Sequence, residues 1–158
     1  MSSQVLSEQS TGVGAFVSLL RAHAAITRDL NTQLTLEHGL TLSDFEVLLR
    51  LSRAPDRRMR RVDLADQVLL SASGVTRLLD GLERHELVER AACASDRRVV
   101  YAVLTDAGLE RLRTAAESHF GQIDAIYNAR FDARELAELT DLLDRLGTGE
   151  AEDCSPPS

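Results

Sequence analysis

The feature that most constrains the fold is a change of hydrophobic period past the middle of the chain. Apolar residues recur at helical spacing over most of the sequence, but the run VVYAVLT is rich in β-branched and aromatic residues and is too short for a helix. The polar turn ASDRR precedes this run, and LVERAA precedes the turn. We therefore predict a β-hairpin inserted into a chain that is otherwise nearly all helix.

Just before this hairpin, two helical patterns are separated by a few residues around Leu70 and Ser71. This spacing predicts a helix-turn-helix. The outward face of its second helix carries Ser73, Thr76 and Arg77. The apolar residues of that helix follow i, i+3, i+4, i+7 spacing and share one buried face: Val75, Leu78, Leu79 and Leu82.

Two helices precede this motif and two follow the hairpin. Gly39 ends the first helix, and the second begins at Thr41 or at Ser43, the latter offering a capping box. After the hairpin, Thr105 or Asp106 caps the next helix. A turn rich in arginine, PDRRMRR, leads into the helix-turn-helix. The flanking helices are expected near 13–36, 41–53, from 105 onward, and 132–146.

Composition limits the class of protein. A chain of 158 residues that is 44% hydrophobic is expected to form one domain. No run approaches the roughly 18 to 20 apolar residues that span a bilayer, and the N-terminal segment has no signal-peptide pattern. Cys93 and Cys154 lie far apart in the sequence and indicate neither a disulfide framework nor a metal site. We expect a cytoplasmic protein that binds no membrane, metal or cofactor.

The distribution of charge is more informative than its total. The net charge of -7 by itself argues against a nucleic-acid partner. Residues 53–101, however, hold ten arginines against eight carboxylates, whereas the rest of the chain holds eight against seventeen. All 18 basic residues are arginine, whose planar fork suits phosphate groups and guanine edges.

Two segments resemble the MarR family of bacterial regulators, and the resemblance extends over residues 13–147. The segment LADQVLLSASGVTRLLDGLERHELVER is similar to the family's recognition region. The family usually has glycine before the Leu-Val that opens the wing, and Glu86 stands there in this chain, which bears on how the recognition helix ends. The segment DRRVVYAVLTDAG matches the wing signature, D-x-R followed by L-T-x-x-G, at Asp96, Arg98, Leu104, Thr105 and Gly108.

The resemblance implies a mainly α fold with a small β-hairpin wing. It implies a winged helix-turn-helix over 41–104 and a helical dimerisation region over 13–40 and 105–147. We expect a disordered N-terminus over 1–12 and a flexible tail over 148–158. The implied function is a homodimer that binds an inverted repeat in double-stranded DNA, with no enzymatic activity. Repression through occlusion of a promoter is the default direction of control.

The recognition helix offers several side chains to DNA. Arg77 is the first choice for a bidentate contact with guanine, whereas Ser71, Ser73 and Thr76 suit phosphate or the thymine methyl group. The alternative is that Thr76 and Arg77 form a solvated face, with Arg77 paired to Asp80.

The hairpin tip and the arginine-rich turn offer further contacts. By resemblance, Asp96 orients Arg98, Arg98 reaches the minor groove, and Arg97 meets a phosphate. The alternative is a hairpin tip that is merely solvated. Four arginines of the turn either contact backbone phosphate or solubilise a loop: Arg57, Arg58, Arg60 and Arg61.

Control by a ligand is the least defined property. Members of the family often respond to small aromatic acids or phenols bound between the dimer helices and the DNA-binding lobe. Such a ligand would make His23, Arg28, His38 and Arg50 candidate contacts, although such side chains are more often solvated or paired with a neighbour. A redox switch through Cys93, beside the wing, is the alternative to an ordinary small residue there.

Other classes of function have less support. The chain has no G-x-S-x-G, H-E-x-x-H or Gly-rich phosphate motif, and the histidines at 23, 38, 85 and 119 show no ligand spacing, so no enzyme is expected. A winged-helix module that binds protein partners instead of specific DNA is the rival. A steep dependence of DNA binding on salt separates the two.

Overall fold

The computed structural model describes residues 11–68 and 70–147. In these ranges the chain forms six α-helices and a three-stranded antiparallel sheet. The helices are α1 (Thr11–His38), α2 (Leu42–Arg53), α3 (Arg61–Gln67), α4 (Ala72–Arg84), α5 (Asp106–Asn128) and α6 (Ala133–Asp144). The strands are β1 (Arg58–Arg60), β2 (Val88–Ala92) and β3 (Val100–Leu104). The disorder expected near the N-terminus and the flexible tail expected over 148–158 concern residues 1–10 and 148–158, which lie outside the described residues.

The predicted fold class is confirmed, since helices dominate and the β2–β3 hairpin follows the helix-turn-helix α3–α4. α1 begins at Thr11, ahead of the boundary expected at residue 13. It ends at Gly39, whose φ is 66°. Of the two caps left open for α2, the structure uses Thr41: its hydroxyl accepts from the N–H of Asp44, whose carboxylate accepts from the N–H of Thr41.

The sheet contains a strand that the sequence did not predict. β1 lies inside the arginine-rich turn and pairs with β3, in the order β1-β3-β2. Arg58 lies opposite Val103 and Arg60 lies opposite Tyr101. The expectation of a plain turn was wrong, because a strand this short is stabilised by pairing across the sheet rather than by its own propensity.

The core lies where α2, α3, α4 and α5 meet the sheet. Leu48 and Leu51 of α2, Leu64 of α3, Val75 of α4 and Leu112 of α5 are fully buried there. Burial of each such side chain contributes roughly 1.5–3 kcal/mol. The predicted apolar face of α4 is confirmed, with its members either buried or packed against the core: Val75, Leu78, Leu79 and Leu82.

α4 ends at Arg84, and two residues later Glu86 is a non-glycine residue in the left-handed region with a φ of 61°. The N–H of Leu87 donates to the carbonyl of Leu82 at 3.0 Å, and the N–H of Glu86 donates to the carbonyl of Glu83 at 2.9 Å. This is the pattern of a Schellman cap. The chain keeps the geometry that glycine usually supplies, at a steric cost to Glu86.

The start of α5 is fastened to the same turn. The hydroxyl of Thr105 donates to the carbonyl of Glu86 at 2.7 Å and accepts from the N–H of Gly108 at 2.9 Å. The N–H of Thr105 donates to the carbonyl of Leu87 at 3.2 Å. A Cβ on Gly108 would lie 2.0 Å from that same carbonyl oxygen. The L-T-x-x-G spacing thus reflects a helix cap and a close approach that requires glycine.

Two apolar surfaces are uncovered in a single copy of the chain. α6 buries none of its residues, and Leu142 and Leu143 are 47% and 39% exposed. An isolated helix of this length is marginal in water, so α6 needs a surface to pack against. The first half of α1 exposes five large apolar side chains: Val13, Phe16, Val17, Leu19 and Leu20.

One histidine of α5, His119, is buried in the core. Its ring centroid lies 4.6 Å from that of Phe45 and 6.0 Å from that of Phe120. Among the described residues its Nδ1 has no hydrogen-bond partner. Burial, and secondly the nearby charge of His38, lower the pKa of His119 from its ordinary value.

Over residues 11–68 and 70–147, none of the helices combines the length and the apolar character that a membrane span requires. The same ranges contain no group of three or more His, Cys, Asp or Glu side chains placed to hold a metal ion.

We expect Glu86→Gly to raise the free energy of unfolding by about 0.5–1 kcal/mol, because glycine adopts the left-handed conformation without the penalty that a side chain incurs. Chemical denaturation measures the change. The matched control is Glu89→Gly in the middle of β2, where glycine weakens a strand and lowers stability. A loss of stability in Glu86→Gly would show that the side chain contributes more than the backbone strain costs.

The lowered pKa of His119 predicts a pH dependence of stability. Because the folded state disfavours the charged ring, its contribution is complete above the ordinary pKa of 6.5 and is lost as the pH falls below that value. His119→Leu should therefore flatten the decline of unfolding free energy between pH 7 and pH 5, by up to about 1.4 kcal/mol per pH unit. Leu112→Val, a change at a buried position of the same helix that does not titrate, should leave the slope of the decline as in the wild type. Parallel curves for wild type and His119→Leu would contradict the assignment.

Candidate nucleic-acid interface

The N-terminal end of α4 is formed by small, exposed residues: Ser71, Ala72 and Ser73. Ser71 caps the helix, its hydroxyl accepting from the N–H of Gly74 at 3.1 Å. The hydroxyl of Ser73 lies 3.2 Å from that of Ser71. Small residues at a helix N-terminus let a phosphate oxygen approach the N–H groups, which carry partial positive charge. The two serines named from the sequence therefore lie together, and Ser71 also has a capping role.

The outward face of α4 presents Arg77 to solvent. Asp80, which the sequence offered as its partner, is paired with Arg90 of β2 instead. No carboxylate pairs with Arg77 in the part of the chain that the structure describes. An exposed guanidinium without a carboxylate partner retains its five donors for an external acceptor.

A groove between α3 and α4 brings three predicted residues together. Arg61, the first residue of α3, lines this groove with Ser73 and Thr76. The hydroxyl of Thr76 donates to the carbonyl of Ala72 at 3.0 Å, which leaves its methyl group for apolar contact. This surface combines a cation, a hydroxyl and a methyl group, the groups that the major groove and its phosphates accept.

Arg90, which the sequence analysis did not single out, joins the hairpin to α4. Its guanidinium contacts the carboxylate of Asp80, and its Nε lies 3.0 Å from Oε2 of Glu83. These two carboxylates would repel DNA phosphate, and the single charge of Arg90 offsets half of their combined charge. No local pattern identifies Arg90, because the ion pairs join two elements that meet only in the folded chain.

The hairpin tip holds Asp96 and Arg98 in one turn. Oδ1 of Asp96 accepts from the backbone N–H of Arg98 at 3.0 Å and from its Nε at 3.3 Å. The side chain of Arg98 is nevertheless 93% exposed, and Arg97 beside it is also exposed. A fixed carboxylate at the base of a projecting arginine limits the entropy lost when that arginine enters a groove.

Arg57 and Arg58 lie apart from the α4 surface. Nη1 of Arg57 donates to Oδ1 of Asp106 at 3.0 Å. The guanidinium carbon of Arg58 lies 4.9 Å from the centre of the Tyr101 ring. Arg57 and Arg58 therefore have partners within the chain, whereas among the described residues no carboxylate pairs with Arg77.

The four candidate ligand contacts do not form one cluster. His23 and Arg28 are exposed on α1. His38 lies at the end of α1, with Nε2 2.6 Å from the hydroxyl of Ser118. Arg50 lies on α2, where its guanidinium reaches Glu46 at 3.5 Å and Gln67 at 3.4 Å. The buried His119 was missed, although it lies three residues beyond the buried Ala116 on the same face of α5.

Cys93 lies in the turn that follows β2. Its Sγ is 3.2 Å from the hydroxyl of Ser95, and it is half-buried. The hydrogen bond from Ser95, with lesser help from the backbone N–H groups of Ser95 and Asp96, lowers the pKa of the thiol. A redox role for Cys93 stays a prediction.

Comparisons with known proteins identify the family of this chain. The family model described as MarR family matches residues 40–100. Over 132 residues the chain is 31% identical to the HTH-type transcriptional regulator MhqR of Bacillus subtilis, covering 84% of this chain and 88% of that protein. The chain belongs to the MarR family.

Two further relatives place this MarR-family chain among transcription regulators. The homoprotocatechuate degradative operon repressor of Escherichia coli is 30% identical over 122 residues, 73% of this chain and 78% of that protein. The crystal structure of Sco3205, a MarR family transcriptional regulator from Streptomyces coelicolor in complex with DNA, has a TM-score of 0.75 and 26% identity, covering 90% of this chain and 92% of that one.

Proposed function

We propose that this MarR-family chain is a homodimeric repressor that binds an inverted-repeat operator in double-stranded DNA. The observation that carries the proposal is a pair of exposed arginines on neighbouring elements. Arg77 projects from α4 and Arg98 from the hairpin tip. The ion pairs of Arg90 with Asp80 and Glu83 tie these two elements together. In this proposal Arg77 reads a guanine in the major groove, and Arg98 enters the adjacent minor groove.

The remaining candidate contacts position the protein on the phosphate backbone. Ser71 and Ser73 bring the N-terminus of α4 to one phosphate, with Arg61 beside them and the methyl group of Thr76 against a thymine. Arg97 meets a phosphate next to the minor groove, while Asp96 orients Arg98. Arg57 and Arg58 have partners within the chain, so we assign them a smaller contribution.

Dimer formation is proposed from the uncovered apolar surfaces. The first half of α1 and the whole of α6 expose apolar side chains that a second copy would cover through a two-fold axis. The helical dimerisation region would then comprise 13–40 and 105–147, apart from the winged helix-turn-helix at 41–104. A two-fold dimer places the two copies of α4 on successive turns of the same side of a duplex.

Repression is proposed because a dimer seated on a promoter excludes polymerase, and because one relative is named as a repressor. That relative's operon is named for the degradation of homoprotocatechuate, an aromatic acid, which supports relief of binding by a small aromatic ligand. We propose no enzymatic activity. We propose a cytoplasmic location, because a regulator of this kind must reach its operator DNA.

We expect Arg77→Ala and Arg98→Ala each to weaken operator binding by about 1–3 kcal/mol, and Arg77→Ala also to relax sequence preference. The operator is first located by footprinting on the DNA beside the protein's own gene. Gel-shift titrations at several salt concentrations then measure affinity. Arg130→Ala, on an exposed arginine that follows α5, removes the same charge away from Arg77 and Arg98. Because residue 130 lies in the proposed dimerisation region, light scattering first establishes that this control is as dimeric as the wild type, and its affinity should then be unchanged.

Unchanged affinity in both interface variants would refute the assigned roles. A protein-docking module without specific DNA binding would show no operator preference and no steep salt dependence. The thiol alternative is tested in the same titration. If Cys93 is a redox sensor, peroxide lowers the affinity of the wild type and not that of Cys93→Ser.

The dimer proposal predicts that Phe16→Asp or Leu143→Asp produces monomers, because a buried carboxylate at an apolar interface is strongly unfavourable. Light scattering after size exclusion measures the mass. Val62, which is 61% exposed on α3, is the control position, and Val62→Asp should remain dimeric. A monomeric wild type at micromolar concentration would sink the proposal.

A further inference from the structure

α4 carries a glycine in its interior, at position 81, that no feature of the fold requires. Its backbone is helical, and among residues 11–68 and 70–147 the glycine with a positive φ is Gly39. A Cβ built at Gly81 would lie 3.9 Å from Nη2 of Arg84, an ordinary van der Waals contact. Glycine inside a helix is less favourable than alanine, because it loses more backbone freedom on folding. A residue that weakens the helix without serving the fold indicates a constraint from outside the chain.

Gly81 lies on the outward face of α4. Arg77, Gly81 and Arg84 follow i, i+4, i+7 spacing and therefore share one side of the helix. The other side of the helix carries its buried residues: Val75, Leu79 and Leu82. Gly81 is thus a gap in the row of outward side chains, with an exposed arginine before it and another after it.

Arg84 extends back toward this gap. Its Nε donates to the carbonyl of Asp80 at 3.2 Å, which brings its guanidinium beside Gly81. Two carboxylates share a surface depression with Arg84, those of Asp80 and Glu83, and both are paired with Arg90. Within the described ranges no carboxylate forms an ion pair with Arg84. The guanidinium of Arg84 therefore keeps donors for an external anion.

The dimensions of DNA explain why such a gap matters. An α-helix with its side chains is about 10–12 Å across, and the major groove of B-DNA is about 12 Å wide. A side chain at the point of closest approach holds the helix away from the base edges, and glycine removes that spacer. Arg84 lies seven residues beyond Arg77, or about 10 Å along the helix axis, so it reaches the wall of the groove when Arg77 reads a base.

We infer, on the basis of the proposed function, that α4 makes its closest approach to the operator at Gly81, while Arg84 holds a phosphate at the wall of the same groove. Gly81 then affects sequence preference, because base edges contact the helix backbone in the operator complex alone. Arg84 contributes equally to operator and unrelated DNA, since a phosphate contact carries no sequence information.

The first test uses Gly81→Ala, because stability and operator binding should change in opposite directions. Alanine favours the helix and fits the available space, so the melting temperature should rise by about 2–4 °C. Operator affinity should fall about tenfold, as it does when a base-edge contact is lost, whereas affinity for unrelated DNA should change less than about twofold. Gly81→Leu, with a larger side chain that also favours the helix, should lower operator affinity further.

The matched control is Gly121→Ala, at an exposed position of α5 where a Cβ meets no atom within 4 Å. Because residue 121 lies in the proposed dimerisation region, light scattering first establishes that this variant is as dimeric as the wild type. It should then melt at a higher temperature and bind the operator as the wild type does.

The second test measures the salt dependence of binding in two Arg84 variants. Arg84→Gln should weaken binding to operator and unrelated DNA alike, and should reduce the slope of log affinity against log salt by about 1 for each copy in the dimer. Arg84→Lys retains the charge and should keep the slope. A role confined to stabilising the end of the helix would lower the melting temperature of Arg84→Gln and leave its slope unchanged, which would overturn the phosphate contact.

Three results would overturn the close approach at Gly81: operator affinity that is unchanged or higher in Gly81→Ala and Gly81→Leu, an equal loss of affinity in Gly121→Ala, or weaker binding together with a lower melting temperature in Gly81→Ala. The wild-type titration separates this inference from the proposed function. A wild type that binds its operator while the Gly81 variants match it contradicts the inference alone. A wild type without operator preference contradicts both.

Discussion

The close contact between Gly108 and the turn at Glu86 and Leu87 fixes how α4, the hairpin and α5 pack against one another. Four elements meet there: the end of α4, the start of β2, the end of β3 and the start of α5. The hydroxyl of Thr105 bridges the turn and the new helix through hydrogen bonds of 2.7 and 2.9 Å. No side chain fits between Gly108 and the carbonyl of Leu87, since a Cβ would lie 2.0 Å from that oxygen. The recognition helix, the wing and the long helix are therefore joined at one tightly packed point.

The electrostatics of the surface follow from which charges are paired. A chain with a net charge of -7 binds an anionic polymer only where its carboxylates are remote or already neutralised. On α4, Arg90 is paired with Asp80 and Glu83 and balances one of their two charges, while Arg77 has no carboxylate partner among residues 11–68 and 70–147. At the hairpin tip Asp96 holds the base of Arg98 and leaves most of that side chain in solvent. The electrostatic potential near this surface thus differs from what the net charge suggests. The opposite charges of an ion pair largely cancel beyond a few ångströms, whereas the charge of an arginine without a carboxylate partner does not.

The helices outside the winged helix-turn-helix have a different task. α6 buries no residue within one copy, and the first half of α1 exposes apolar side chains as well. Exposed apolar faces of this size are expected to pack against another surface. The buried His119 lies where α2 and α5 pack together, with Phe45 and Phe120 around it. The uncovered apolar side chains thus lie on α1 and α6, and the exposed arginines lie on α4 and at the hairpin tip.

The local structure of this protein, meaning its helices, hairpin and helix caps, could be predicted from its sequence. Helical periodicity, the β-branched run at the hairpin, a cap at Thr105 or Asp106 and the D-x-R and L-T-x-x-G signatures predicted the fold class and the residues on the outward faces, because each depends on neighbours a few positions away. Only the tertiary structure decided the features that join distant segments. β1 is a strand because it pairs with β3. Arg90 of β2 forms its ion pairs with carboxylates of α4. His119 is buried against aromatic rings of α2 and α5. Such contacts depend on three-dimensional packing, which brings together residues that no periodicity relates.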